Sequence, residues 1–408
     1  MTAGGWAEDA LGLLHLRVGE TVEQVGDRFP LHADPADGHW TTTRRGSWTG
    51  GFWAGLLWLR ARHTRSDGDR AVATAVTARL APWAEADTAT RGLILWYGTA
   101  LATGDAAARA LRERAAKAAL GDLDDRLGLI PWGSALGGPR PRARVDGVPG
   151  LVPLLATAGP RGRAAAAAHL DRHLDLCLPR ESGRRPTPAW RWEPRSGWGP
   201  EPDPRPGWTR GEAWLLLAVA DGLLREGRAE ERSCLSPDRA HRPWDRPLRP
   251  VDRSRPSPDR THGPTDRTHG PTDRSDRLPD RLGGAAEQLL DSCAFLTGPL
   301  VPPARAHHPD GPLDTSAAAI TAVALLKLAL VPGAAWASGC ADRAEAVLHR
   351  LAHAHLTRPG GVRPAGMLLD GCYDPHSGTA VRHELVWGDF FLALGLSALL
   401  GRVDLRRV

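Results

Sequence analysis

Phenylalanine and tyrosine are scarce in this chain of 408 residues, at five and two, and methionine occurs only twice. The five cysteines, Cys177, Cys234, Cys293, Cys340 and Cys372, are odd in number, far apart and without a C-x-x-C pair. That argues against a disulfide framework and against a zinc site. No run of 18 apolar residues occurs, so no membrane span is expected. The first twenty residues lack a basic start and a continuous apolar stretch. They read as an amphipathic helix rather than a secretion signal, and the cytoplasm is the expected compartment. Nor does one sign of charge dominate: 52 basic residues stand against 47 acidic ones, a net +5, which leaves no nucleic-acid footprint. Period-two alternation of the β type is also nearly absent.

What is present is tryptophan, arginine and helical periodicity. Sixteen Trp residues carry most of the aromatic surface. The indole offers a flat apolar face and one N–H donor, which suits the apolar face of a sugar ring. Arginine replaces lysine nearly throughout and matches carboxylate geometry with its fork of donors. Apolar residues at three- and four-residue spacing predict helices over 52–63, 70–85, 92–102, 104–120, 163–178, 209–225, 285–297, 314–329, 340–355 and 384–400. Short Gly/Pro/Asp connectors separate them. This pattern predicts an all-α fold, a closed toroid of six helical hairpins or (α/α)6 barrel. A repeat solenoid is the alternative, although no fixed period is found. Residues 228–284 break the pattern. They are rich in Arg, Asp, Pro, Ser and His and hold a tandem heptamer, THGPTDR, at 261–267 and 268–274. Such a segment buries too little surface to offset its ordering entropy. It is expected to be a disordered insertion within one domain made of residues 1–227 and 285–408.

Five islands combine Gly, Trp and polar residues at predicted helix starts: 47–53, 128–132, 144–150, 208–214 and 381–389. At one end of a helical toroid they would share a site. Trp48, Trp132, Trp208, Trp214 and Trp387 supply aromatic faces there, Arg210 and His383 supply donors, and Asp146 and Glu212 supply carboxylates.

Four of these stretches resemble, in order and spacing, the unsaturated glucuronyl hydrolases, a glycoside hydrolase family 88-like group. SWTGGFWAGLLWL (47–59) is similar to the family's W-T-x-G-F segment. GWTRGEAWLLLAVADGL (207–223) is similar to W-x-R-G-Q-A-W, and PLDTSAAAITAVALLKL (312–328) to D-S-S-A-x-A-I. LLDGCYDPHSGTAVRHELVWGDFFLALGLSAL (368–399) resembles the C-terminal signature with D-G-C-Y and H-E-L-x-W-G-D. The resemblance implies an (α/α)6 barrel and a hydrolase acting on acidic oligosaccharides left by polysaccharide lyases. Its reaction hydrates the C4=C5 double bond of a terminal unsaturated uronic acid, without a cofactor. Read alone, Asp146 before Gly147 is a turn or helix cap. The resemblance makes it the family's catalytic Asp, in RVDGVPGLVPLL, and makes Trp132 a sugar platform.

The departures are also legible. The family's H-D-x-G-F segment matches TATRGL (88–93), which puts Thr90 where a second Asp belongs and leaves Asp87 nearby. The T-H-Q-G loop has no counterpart, and Gln of the W-x-R-G-Q-A-W motif becomes Glu212. Glu212 is the expected substitute for the missing acid. Two other readings stay open. One is a degenerate toroid that binds carbohydrate without turnover. The other is a related glycosidase using Asp146 and Glu212, for which the separation of the two carboxyls is diagnostic.

Overall fold

The computed structural model describes residues 3–181, 183–234 and 278–408. Helices dominate, and they fall into two alternating kinds. The odd-numbered helices are amphipathic, with one buried stripe: α1 (Ala3–Val25), α3 (Asp67–Ala78), α5 (Ala106–Gly121), α7 (Gly159–Cys177), α9 (Leu278–Ser292) and α11 (Ala337–Ala354). The even-numbered helices are buried on nearly every side over the stretches that pack together. They are α2 (Gly50–Thr64), α4 (Tyr97–Thr99, entered through a π-helical turn at Gly92–Trp96), α6 (Leu151–Ala156), α8 (Thr209–Cys234), α10 (Thr315–Leu328) and α12 (Val386–Leu399). A helix that is apolar all round must be surrounded by protein, whereas a striped one lies at the surface. Among the described residues α2 packs on α4 and on its π-helical entry, that entry packs on α6, α6 on α8, α8 on α10, α10 on α12, and α12 on α2. Each odd-numbered helix packs on an even-numbered neighbour.

Close approach within this cycle depends on glycine. A Cβ at Gly51 of α2 would stand 2.2 Å from the Ile94 carbonyl oxygen, and one at Gly92 would stand 2.0 Å from the Leu151 nitrogen. Caps set several helix starts: Ser66 Oγ accepts from Asp69 N at 3.3 Å, and Asp105 Oδ1 accepts from Ala108 N at 2.8 Å.

The near-absence of strands expected from the sequence needs correction. Two small antiparallel sheets lie in the connections. One has the order β2 (Trp40–Thr43), β1 (Phe29–Ala33), β7 (Thr379–Leu385), β6 (Gly371–Asp374). The other runs β3 (Arg142–Arg144), β4 (Ala189–Glu193), β5 (Gly197–Pro200). Strands of three to seven residues are too short to show a clear alternation.

The 228–284 segment also changes at its edges. Helix α8 continues to Cys234 and α9 begins at Leu278. Leu282 is fully buried, and Arg281 pairs with Asp171 and Asp175 on α7. Truncating one buried leucine costs roughly 2–5 kcal/mol, so 278–284 belongs to the folded domain. The rest of the expected insertion, 235–277, with both heptamers, lies outside the described residues. Cys177, Cys293, Cys340 and Cys372 are buried free thiols. Among the described residues no helix is long and apolar enough to cross a membrane.

Candidate active site

Beside the starts of α2 and α8 a cavity of about 750 Å³ opens. It is lined by Trp48, Thr90, Trp132, Arg142, Arg144, Asp146, Trp208, Arg210, Trp214 and Tyr373, with Arg305 and His307 toward one rim. The structure thus brings together Asp146, Arg210 and four of the five tryptophans expected to share a site.

Asp146 sits in a short turn, Val145–Gly147, that follows strand β3. Alternation along β3 buries Ala143 and sends Arg142 and Arg144 to the other face, toward the cavity. Arg144 grips Asp146 with two hydrogen bonds, Nε to Oδ1 at 3.0 Å and Nη2 to Oδ2 at 3.1 Å. The Arg144 guanidinium also stands 4.7 Å above the Trp132 ring. Acid, cation and aromatic face therefore form one unit. Arg142 is paired with Glu201 at 2.7 Å.

Trp48 donates its indole N–H to the Tyr373 hydroxyl at 3.3 Å. Trp387 is fully buried beneath these two rings, 4.8 Å from Trp48 and 5.3 Å from Tyr373 between centroids. It supports the cavity wall and does not line it. Arg210 lines the cavity, but its donors are engaged. Nη1 bonds Asp314 Oδ2 and the Cys372 carbonyl, each at 2.5 Å, and Nη2 bonds the Tyr373 carbonyl at 2.7 Å. Asp314 also caps α10, accepting from Ser316 N and Ala317 N.

Glu212 does not join Asp146. Successive residues on an α-helix turn by about 100°, so two steps from Arg210 point the side chain to nearly the opposite side. Glu212 lines a separate cavity of about 180 Å³, walled by Phe295, Leu300 and prolines, where it pairs with Arg185 at 2.7 Å. Burial raises its pKa against the pull of Arg185. Trp214, four residues from Arg210, returns to the cavity side. Because Glu212 lies outside the Asp146 cavity, Glu212→Gln should leave the pH–rate profile of any turnover unmoved. A shift of its basic limb would show that the two carboxyls communicate.

Thr90 lines the cavity, sharing a 2.8 Å hydroxyl contact with Thr88. Asp87, the nearby acid, faces away. It accepts from Ser134 N and Oγ and from Arg140 Nε, and so pins the 134–140 loop. Asp146 shares the cavity lining with two other carboxylates, Asp203 and Asp374.

His383 lies on β7 outside this cavity. Its ring meets the Val381 carbonyl at 2.9 Å and packs edge-on against His32. Its neighbour Glu384 is buried in a fork from Arg17 of α1, with Nη2 to Oε2 at 2.7 Å. Asp389, in the first turn of α12, is buried nearby, and its pKa is pushed well above the carboxylate range by burial and by Glu384. A raised folded-state pKa contributes stability that is complete below the unfolded value, about pH 4, and is lost as pH rises through the folded value. Asp389→Asn keeps the shape of the protonated acid. It should melt above the wild type at pH 7–8, with the difference closing near pH 4. A lower melting point at neutral pH would mean that the Asp389 charge is used.

No protein-family model and no curated protein matches the sequence. Solved structures do match. Unsaturated glucuronyl hydrolase from Bacillus sp. GL1, described as responsible for glycosaminoglycan degradation, aligns at TM-score 0.71 and 21% identity, covering 96% of each chain. A heparin-specific unsaturated glucuronyl hydrolase aligns at TM-score 0.72 and 17% identity, over 98% of this chain and 99% of that one. The chain has the fold of the unsaturated glucuronyl hydrolases. The Streptococcus agalactiae enzyme aligns at 0.70 and 16%, over 99% and 94%. A variant of that enzyme is solved with dGlcA-GalNAc6S. Against this fold, two groups that the sequence reading missed stand out. Tyr373 lies within the quoted D-G-C-Y stretch, and Arg142 with Arg144 was signalled by the Arg-Ala-Arg alternation before Asp146.

Proposed function

We propose that this protein, an (α/α)6 toroid, hydrates the C4=C5 double bond of an unsaturated uronic acid at the non-reducing end of an acidic oligosaccharide. One observation carries the reading: a tryptophan-walled cavity in which the lining carboxylate Asp146 is held in a fork from Arg144 beside Trp132. The double bond is a vinyl ether. The Asp146 carboxyl gives its proton to C4, and positive charge develops at C5 and the ring oxygen. Water adds its oxygen to C5 and returns a proton to the Asp146 carboxylate. The hemiketal then opens and releases the remaining sugar.

Trp48, Trp132 and Trp208 offer faces for the sugar rings. Arg144 is the guanidinium placed to meet the substrate's carboxylate beside the acid, since the terminal nitrogens of Arg210 are already held by Asp314 and two carbonyls. A uronate that draws Arg144 away from Asp146 would free that carboxyl to take up the proton it donates. Incubation with a panel of lyase products, followed by loss of the ultraviolet absorbance of the unsaturated uronate, tests the reading. Thr90 in the lining and Glu212 in another cavity favour a second reading, a toroid that binds acidic sugar without turnover. Calorimetric binding with no absorbance loss on any panel member would select it.

A further inference from the structure

Behind the proposed acid lies a fully buried imidazole, His169 of α7. Both of its ring nitrogens meet backbone atoms of the two segments that carry the site. The Ile130 N–H donates to His169 Nδ1 at 3.1 Å, and His169 Nε2 faces the Gly147 carbonyl oxygen at 3.3 Å. An amide N–H can only donate, so Nδ1 is the bare nitrogen and the proton resides on Nε2, where it donates to the carbonyl. One neutral tautomer satisfies both bonds. Burial and the adjacent His173 hold the ring neutral by pushing its pKa well below the usual value. His173 in turn donates its Nδ1–H to the His169 carbonyl at 2.8 Å.

The placement of these bonds matters. Ile130 lies two residues before Trp132, and Gly147 directly follows Asp146. A Cβ built on Gly147 would stand 3.0 Å from the Ala89 Cβ and 3.7 Å from the Trp132 ring, so the turn carrying the acid rests against the aromatic platform itself. The ring also touches no cavity surface. We infer that His169 is a positioning residue, an imidazole brace that fixes the separation between the Trp132 face and the Asp146 carboxyl. The catalytic consequence rests on the proposed hydration reaction; the brace itself does not. A displacement on the order of 1 Å between a binding group and a reacting group lowers rates by up to ~100-fold.

Two full-length variants test this. His169→Phe keeps an aromatic ring and removes both bonds. His169→Gln can restore both, because its carbonyl accepts from Ile130 N–H and its amide donates to Gly147. If the Phe variant fails to fold, His169→Asn, with a shorter amide that reaches only Ile130, replaces it. Measurements are made well below the melting temperature on fully folded protein. Hydrogen exchange at the Ile130 amide should accelerate in the Phe variant and return to the wild-type rate in the Gln variant. With a lyase-product disaccharide, kcat/KM should fall ~10–100-fold in the Phe variant, mostly in kcat, and recover to within about threefold in the Gln variant. A brace of purely structural value would lower the melting temperature and leave kcat per folded molecule unchanged, and that result overturns the inference. If the wild type turns over no panel member, the hydration reading fails instead. The inference is then judged on calorimetric affinity for the same disaccharide, expected to weaken about tenfold in the Phe variant and to recover in the Gln variant. Unchanged affinity, or an Ile130 amide equally protected in all variants, overturns it whatever the substrate.

Discussion

Asp146→Asn should cut turnover of an unsaturated uronyl disaccharide by ~10²–10⁴-fold, the contribution of a positioned proton donor, while folding and sugar binding persist. The amide keeps the shape of the carboxyl, and its oxygen can still accept from Arg144, so the turn after β3 has no reason to move. What changes is charge. The carboxylate that now takes both prongs of Arg144, at 3.0 and 3.1 Å, becomes neutral. Arg144 then loses its hydrogen-bonded counter-charge, and only Glu201 and Asp203 still act on it, without a bond. A substrate carboxylate should meet that guanidinium more readily. Affinity is therefore expected to hold or tighten as kcat collapses, a separation visible by pairing calorimetry with the absorbance assay. A variant that retains full activity would remove Asp146 from the chemistry. One that loses affinity and rate together would make it a binding residue.

The helical plan was legible because the two kinds of helix write different patterns. Inner helices such as α10 and α12 read as nearly unbroken apolar stretches, and outer ones such as α3 and α11 as stripes. The helix expected over 92–102 ends at Thr99 and opens with a π-helical turn, where Gly92 lets α6 approach within a distance no side chain tolerates. That demand comes from the packing partner and leaves no local periodicity. Four of the five island tryptophans do meet in the cavity, as residue type suggested, whereas Asp146 is singled out only by the family resemblance, since read alone Asp before Gly is a turn or cap. Glu212 could not be placed correctly by type alone. Its orientation follows from the helix phase set by Arg210, a two-residue offset that points the carboxyl into a different cavity. The commitment of Arg210 to Asp314 and to the 372–373 carbonyls joins segments more than 100 residues apart, and no local pattern announces such a pairing.

That pairing carries the second large effect. Asp314 is fully buried and is the shared acceptor for Arg210 Nη1, for Ser316 N and Oγ, and for the first-turn amide of Ala317. It thereby ties α8, α10 and, through Arg210 and the Cys372 and Tyr373 carbonyls, strand β6 into one corner of the cavity. Removing one partner of a buried ion pair strands the other charge and costs about 3–5 kcal/mol, and loss of a helix cap costs about 1 kcal/mol. Both effects act through the same carboxylate, so they do not add. Asp314→Ala should lower stability by about 3–5 kcal/mol in urea melts. Asp314→Asn keeps the cap and loses only the charge, so it should fall between. The double variant Arg210→Met/Asp314→Leu should recover part of the loss, because no unpaired charge remains. Arg210→Lys keeps a cation for Asp314 but cannot reach both carbonyls at once. Tyr373 would then be released from below, and with it the hydroxyl that receives the Trp48 indole N–H. Sugar affinity should fall in that variant through the displaced aromatic wall rather than through lost charge, so the loss should be equal for a neutral and an acidic sugar. A loss confined to the acidic sugar would instead show that Arg210 reads the carboxylate directly.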